Sequence, residues 1–210
     1  MHATSERPFR QSFLIRLPLL YFALLFLTSC SPRDFLTRRL AADLITASVT
    51  FRAQQLFQFR TGVISNQDYL SPDYLLLQHK GWISVTNARC PVALAPPPCW
   101  DVTLTPSGVD TFQSLIAPGD AEKPTLSIPA AHRELIAITG ISKQGNLADV
   151  EFSWRWLPLN EVGAALYSGD AHYRSTVAFR NYNDGWRLVE SAPHANQPLD
   201  EALKNAEPAQ

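Results

Sequence analysis

The sequence predicts an α+β fold, with helices in the first half of the chain and an antiparallel sheet in the second. Ser71-Pro72 and Thr105-Pro106 each place a capping side chain before a proline, a pairing that favours a helix start. Residues 149–157 instead alternate between apolar and polar side chains, which is typical of a strand with one buried face. Helices followed by long alternating strands indicate the α+β class.

Three elements are predicted upstream of these helix starts. A helix over 32–48 carries apolar residues at helical spacing and begins at Ser31-Pro32, where serine can cap and proline suits the first helical position. Large apolar residues interleaved with polar ones favour a strand at 56–59, and the alternative is a continuation of the preceding helix. Residues 62–67 are predicted to form a loop.

The N-terminus has the features of a processed bacterial segment. Three arginines precede an apolar run at 17–27, which is shorter than the roughly 20 residues that span a bilayer and is typical of a signal peptide. The sequence Leu27-Thr28-Ser29-Cys30 resembles the bacterial lipobox, in which an aliphatic residue and two small residues precede an invariant cysteine. The resemblance implies cleavage of a signal peptide at 1–29 and acylation of Cys30. The alternatives are an uncleaved membrane anchor or an ordinary secretory signal.

The same resemblance implies the membrane to which the protein is sorted. Aspartate after the acylated cysteine would suggest retention in the inner membrane, so Ser31 implies an outer membrane, with the domain facing the periplasm. The signal peptide removes Arg7, Arg10, Arg16 and Glu6, so 15 basic and 18 acidic residues remain of the original 18 and 19, a net charge of −3. No block of like charge occurs, and no nucleic-acid partner is predicted.

Cysteine counting predicts a disulfide in the first half of the chain. If Cys30 carries lipid, Cys90 and Cys99 remain as a pair in an oxidising compartment. Strands predicted at 82–86 and 100–104 flank this pair, so the bond would tie a hairpin whose long tip is apolar and rich in proline. The alternative is a metal site, but it would need further nitrogen or sulfur ligands at suitable spacing.

The helix before this hairpin, its long tip and the helix start after it resemble a winged-helix motif. The Leu104-Thr105-Pro106-Ser107-Gly108 step is similar to the one that often follows the wing in that family. Winged helices usually bind DNA through a basic recognition helix. The corresponding helix here offers only His79 and Lys80 against Asp73, and export removes DNA as a partner, so the resemblance implies architecture alone.

The second half is predicted to be a sheet of three long strands and a terminal hairpin. The strands lie at 135–141, with Ile136 and Ile138 on one face, at 149–157 and at 173–182. Residues 159–168 are predicted to form a short helix or a crossover. A two-residue turn at Asp184-Gly185 then places the next apolar residues on the buried face. This sheet resembles those of cystatin-like and nuclear transport factor 2-like small domains. The ending Tyr-Asn-Asp-Gly-Trp-Arg-Leu is also similar to uncharacterised bacterial lipoproteins.

The predicted organisation has five parts. They are a signal peptide at 1–29, a helical subdomain with the disulfide hairpin at 30–116, a connector at 117–130, an antiparallel sheet packed on a helix at 131–191, and a mobile tail at 192–210 with a weak helical run near 200–206.

No nucleotide, metalloprotease, hydrolase or calcium-binding motif occurs in the sequence. The nearest approach to a nucleophile set is Ser168, Asp170 and His172, which lie too close in sequence to converge as a triad and are interpreted as a polar turn. No metal or cofactor is predicted, because no spacing gathers His132 or the other histidines beside acids. Four aromatic residues on the apolar faces of these predicted strands are candidates for either the core or a ligand pocket: Trp154, Trp156, Phe179 and Trp186.

Three hypotheses for function follow. The first is a non-enzymatic envelope lipoprotein, held in the membrane by acylated Cys30, that binds another envelope protein or assembles with its neighbours as a structural module. The second is a periplasmic binder of small ligands with an aromatic-lined cup, and the third is a hydrolase whose site the sequence conceals. A deep pocket lined by Trp154 and Trp156 would favour the second hypothesis. Convergence of a histidine, an acid and a serine in a cleft would favour the third.

Overall fold

The structure is a computed structural model, and it describes residues 35–94, 96–116, 125–167, 169–189 and 198–209. The predicted signal peptide and Cys30 lie outside these residues. None of the helices within the described ranges is long and apolar enough to cross a membrane. The α+β class is confirmed, since helices accompany two antiparallel sheets.

The first half of the chain contains five helices and four strands within its described part. These are α1 (Arg38–Ala47), α2 (Val49–Arg52), β1 (Gln55–Arg60), β2 (Gly62–Ser65), α3 (Asn66–Tyr69), α4 (Pro72–His79), β3 (Ile83–Ala88), β4 (Cys99–Leu104) and α5 (Pro106–Gln113). The predicted helices at Pro72 and Pro106 and the strands flanking the cysteines are all present.

The second half contributes the long strands, as predicted. Its elements are β5 (Thr125–Gln144), β6 (Leu147–Pro158), α6 (Glu161–Leu166), β7 (His172–Tyr182), β8 (Gly185–Leu188), α7 (Leu199–Lys204) and β9 (Glu207–Pro208). The alternation predicted for 149–157 is confirmed: Val150, Phe152 and Trp154 are buried, whereas Asp149 and Glu151 on the other face are exposed.

The large sheet has the order β1-β5-β6-β7-β8, with β9 added to the free part of β7, and every pairing is antiparallel. It takes β1 from the first half of the chain, so the sheet extends beyond the unit predicted at 131–191. The connector predicted at 117–130 is wrong for residues 125–130, which already belong to β5. These residues form a strand because Leu126 and Ile128 pair with Phe59 and Phe57 and are buried with them.

A first core lies between one face of this sheet and helices α1 and α7. Ala41 and Ile45 of α1 pack there against the aromatic face of β6. From α7, Leu199 and Leu203 are buried in the same cluster, so the mobile tail predicted at 192–210 is wrong for 198–209. The predicted helical run near 200–206 does form, and burial of its apolar side holds it on the sheet.

The predicted start of the first helix is also wrong among the described residues. Residues 35–37 are not helical, and α1 begins at Arg38. The cap is Thr37, whose hydroxyl oxygen accepts a hydrogen bond of 3.1 Å from the backbone N–H of Leu40. Chain between Cys30 and α1 is therefore longer than the sequence pattern predicts.

A second core joins the other face of β5 to a small sheet with the order β2-β4-β3. Residues 62–65, predicted as a loop, form strand β2, because they pair with β4 and bury Ile64. Every pairing in this sheet is antiparallel, and α3 and α4 lie between β2 and β3 in the chain. Thr105 fastens the helices to it: its hydroxyl accepts from the N–H of Gly108 and donates to the carbonyl of Gly81.

Two local register predictions differ from the structure by one residue. A bulge in β5 leaves Ile136 without a partner in β6, so Ile136 is exposed while Ile138 is buried, and the two do not share a face. The turn between β7 and β8 consists of Asn183 and Asp184, because Gly185 already pairs with β7. The apolar side chains of β8 still lie on the buried face, as predicted, because the turn also contains two residues.

Candidate functional site

The disulfide between Cys90 and Cys99 is present, as predicted, with Cα atoms 5.2 Å apart. It closes the loop between β3 and β4 at the point where the ladder ends, since Ala88 is paired with Cys99. Because Cys99 is fully buried, one end of the loop is held in the small sheet. The bond and the ladder together limit the conformations open to the loop.

The loop itself carries apolar side chains that the fold does not bury. A short 3₁₀ turn at Val92–Leu94 is closed by the N–H of Leu94 donating to the carbonyl of Pro91. Val92 is 97% exposed, the highest exposure among the large hydrophobic residues of the described chain that lie at the surface. Residues 91–93 and 96–98 are all exposed, and every residue between the cysteines is apolar. We call residues 91–98 the disulfide loop.

Aromatic packing fixes the strand at the base of the disulfide loop. The indole of Trp100, next to Cys99, donates a hydrogen bond of 2.9 Å to the side-chain oxygen of Asn66. Its ring lies 4.9 Å, centroid to centroid, from the ring of Tyr69. The loop is therefore presented by a rigid strand, with little flexibility at its base.

Removing the disulfide should destabilise the protein by a moderate amount. The double substitution Cys90→Ser and Cys99→Ser should lower the free energy of unfolding by about 2.5–3 kcal/mol, because the unfolded chain gains the entropy of an open loop. Urea unfolding followed by tryptophan fluorescence measures this change. Alkylation of both thiols in protein isolated without a reductant would contradict the bond itself.

The four candidate aromatic residues do not converge on a cup. Trp154, Phe179 and Trp186 are buried in the first core, and Trp156 is partly buried beside them. The Trp154 ring meets Trp156 edge-on at 5.2 Å and stacks on Tyr173 at 4.7 Å. These rings fill the space between sheet and helices, and so act as core residues.

Arg133 is a partly buried charge that the sequence patterns do not single out. Its Nη1 donates to the carbonyl oxygens of Thr50, at 3.0 Å, and Ala53, at 3.4 Å, at the end of α2. Its Cζ lies 4.6 Å from the ring centroid of Trp156 and 5.6 Å from that of Trp154. Burial lowers the pKa of this guanidinium below its ordinary value. The positive charge of Arg133 is thus stabilised by helix carbonyls and by two indole faces instead of a carboxylate. Because Arg133 belongs to β5, these contacts also hold α2 against the sheet.

Of the groups considered for catalysis, His172 begins β7 and Asp170 lies in the turn before it. Ser168 lies outside the described residues. His172 is paired in the sheet with Arg155, whose Nε lies 2.6 Å from a carboxylate oxygen of Glu134. Across the three paired strands, Arg155 therefore lies between His172 and the carboxylate of Glu134. Among the described residues, no group of three or more histidine, cysteine, aspartate or glutamate side chains is placed to hold a metal ion.

The disulfide loop is the feature of the described chain that combines exposure, apolar character and a constrained backbone. No protein-family model, no curated protein and no solved structure matches the chain. We therefore infer function from the chemistry of the chain itself.

Proposed function

We propose that this chain is a lipid-anchored protein of the bacterial cell envelope and that its domain is a non-enzymatic protein-interaction module. The lipobox-like sequence ending at Cys30 supports the anchor, and a structural disulfide suits an oxidising compartment such as the periplasm. The observation that carries the interaction role is the exposed apolar loop that this disulfide closes.

The disulfide loop has the energetic properties of a binding element. Covering one fully exposed aliphatic side chain such as Val92 contributes about 1.5–3 kcal/mol. Because the loop is already constrained, little conformational entropy is lost on binding. It carries no charge that would have to be stripped of water. Its partner is therefore expected to present an uncharged, apolar groove.

The fold also separates the loop-bearing sheet from the predicted anchor. Phe35, five residues after Cys30, lies against Lys143 near the end of β5. The small sheet lies at the other end of β5, because it follows β1 in the chain and the last residue of β1 pairs with Thr125. Eighteen residues separate Lys143 from Thr125 along this strand, a path of roughly 60 Å at 3.3 Å per residue. This separation favours a protein partner for the loop over the bilayer that holds the anchor.

A single charge in the disulfide loop should disrupt the interaction. We expect Val92→Asp to lower the yield of the partner crosslinked in intact cells at least tenfold, because an aspartate would have to be desolvated in an apolar groove. Affinity-purified crosslinked complexes, quantified by mass spectrometry, give the measurement. Val49→Asp is the matched control, since Val49 is 76% exposed at the start of α2 and lies outside the loop.

The two variants separate binding from folding. Both should keep the unfolding midpoint of the native protein, because neither valine is buried. An equal loss of crosslinks in both variants, or no loss in Val92→Asp, would contradict the assignment of the contact to the loop.

A further inference from the structure

Two hairpin turns lie side by side at the end of the large sheet nearest the predicted anchor. The β5–β6 turn contains Gly145 and Asn146, and the β7–β8 turn contains Asn183 and Asp184. The N–H of Asn181, near the end of β7, donates a hydrogen bond of 2.8 Å to the carbonyl of Asn146, which joins the β5–β6 turn to β7 beside its own turn. We call these turns and the residues that flank them the tip surface.

The tip surface bears arginine and an exposed aromatic ring. Arg180 and Arg187 face each other across β7 and β8 on the face opposite the first core. The ring of Tyr182, which is 47% exposed, lies 5.6 Å from the Cζ of Arg180 and 5.3 Å from that of Arg187. Guanidinium groups beside an exposed tyrosine suit the headgroup region, where phosphates and amphipathic rings meet.

At this end of the sheet the basic residues Arg180, Arg187 and Lys143 outnumber the acidic residues Asp184 and Asp149 by one. Asp184, in the turn, is ion-paired with Arg187, and both side chains are largely exposed. Asp149 lies on the same face as Arg180 but further from the turns, in register with Ala178. Among the described residues Arg180 has no carboxylate partner, and Arg38 at the start of α1 reaches β5 near the same end through the carbonyl of Thr139.

The anchor would place the tip surface at the membrane. Phe35 is 60% exposed and its ring centroid lies 5.8 Å from the Nζ of Lys143, two residues before the β5–β6 turn. Five residues separate Phe35 from Cys30, so the acylated cysteine is within about 17 Å of Phe35. A soluble polyanion could bind the tip surface wherever the anchor lay, whereas a lipid surface can bind it only if the tip lies close to the membrane. The short distance to Cys30 therefore favours lipid as the ligand.

We propose that the tip surface docks end-on against anionic phospholipids of the membrane that holds Cys30. This inference rests on the anchor in the proposed function. The arginines contact lipid phosphates, and Tyr182 and Phe35 lie among the headgroups. Docking in this way orients β5 away from the membrane and directs the small sheet with its disulfide loop outward.

Hydrogen exchange of the mature, acylated protein reconstituted in vesicles tests this orientation. Amides of 144–147 and 180–187 should exchange more slowly in phosphatidylcholine vesicles that contain phosphatidylglycerol than in phosphatidylcholine alone, and added salt should reduce the difference. The double substitution Arg180→Gln and Arg187→Gln should lower the ratio of docked to undocked protein by roughly 25-fold, about fivefold for each arginine. Arg52→Gln with Arg89→Gln, exposed arginines elsewhere, should retain the protection.

The outcomes separate this proposal from the proposed function. The intact mass of each sample reports whether Cys30 is acylated, and absence of the acyl mass overturns both. Acylated protein with equal exchange in the two kinds of vesicle overturns the docking alone, as does equal protection in detergent with inorganic phosphate. Protection that survives loss of both arginines would assign the contact to something other than lipid charge and would also overturn it.

Discussion

The substitution Gly163→Ala should lower the free energy of unfolding by about 3 kcal/mol, because α6 rests on the backbone of β5 at this residue. An added Cβ would lie 1.8 Å from the carbonyl oxygen of Ala130 and 2.8 Å from its carbonyl carbon. Ala130 is fully buried, and its carbonyl also accepts a hydrogen bond of 2.9 Å from the N–H of Leu159. The side chain of Asn160 donates to the neighbouring carbonyl of Pro129 at 2.6 Å, so the helix cannot move away without losing these bonds.

The sign of this effect distinguishes packing from helix propensity. In an exposed helix, alanine is favoured over glycine by about 1 kcal/mol, so propensity alone predicts a more stable protein. Urea unfolding followed by tryptophan fluorescence gives the change. Gly169→Ala is the matched control, since a Cβ there meets nothing within 4 Å. An unchanged or higher midpoint for Gly163→Ala would show that α6 does not rest on β5 as described.

The substitution Cys30→Ser should abolish acylation and leave the precursor unprocessed. A hydroxyl cannot take the place of the thiol that the lipobox resemblance marks for modification, so the expected effect is a complete loss of attached lipid. Metabolic labelling with a fatty-acid analogue measures it, and the intact mass shows whether residues 1–29 remain. Cys90→Ser is the matched control: it breaks the disulfide and should keep the label.

The strength of membrane attachment depends on the number of acyl chains. One chain holds a protein on a membrane only marginally, whereas the several chains that the resemblance implies hold it stably. Undiminished label on the Cys30→Ser protein would refute the anchor. It would also remove the premise on which docking of the tip surface rests.

Most signals contained within one segment were interpreted correctly from the sequence, although α1 begins at Arg38 and not at the predicted Pro32. Thr105 both caps its helix and bonds to Gly81, and β6 buries the face that its alternation indicates. Cysteine counting identified the bond between Cys90 and Cys99. Caps, alternation and short-range disulfides depend on neighbours along the chain, so the residues that determine them are visible together in the sequence.

Elements that depend on a distant partner were either missed or only weakly indicated. Residues 62–65 have little strand signal of their own and become β2 by pairing with β4, as 125–130 join β5 by pairing with β1. The helix at 199–204 is too short to be stable alone and is held by burial of Leu199 and Leu203. In each case the stabilising contacts come from residues far along the chain, which local patterns do not report.

The candidate sites divide in the same way. The sequence by itself determined that Cys90 and Cys99 enclose an apolar segment and that four aromatic residues lie on the apolar faces of their strands. Only the tertiary structure decided that Val92 is exposed while Trp154 is core, because exposure depends on what packs against each face. It also brought Arg133 against two indoles and the end of α2. In the same way it paired Arg180 with Leu147, next to the β5–β6 turn. These contacts join residues separated by tens of positions, and strand pairing, not composition, places them together.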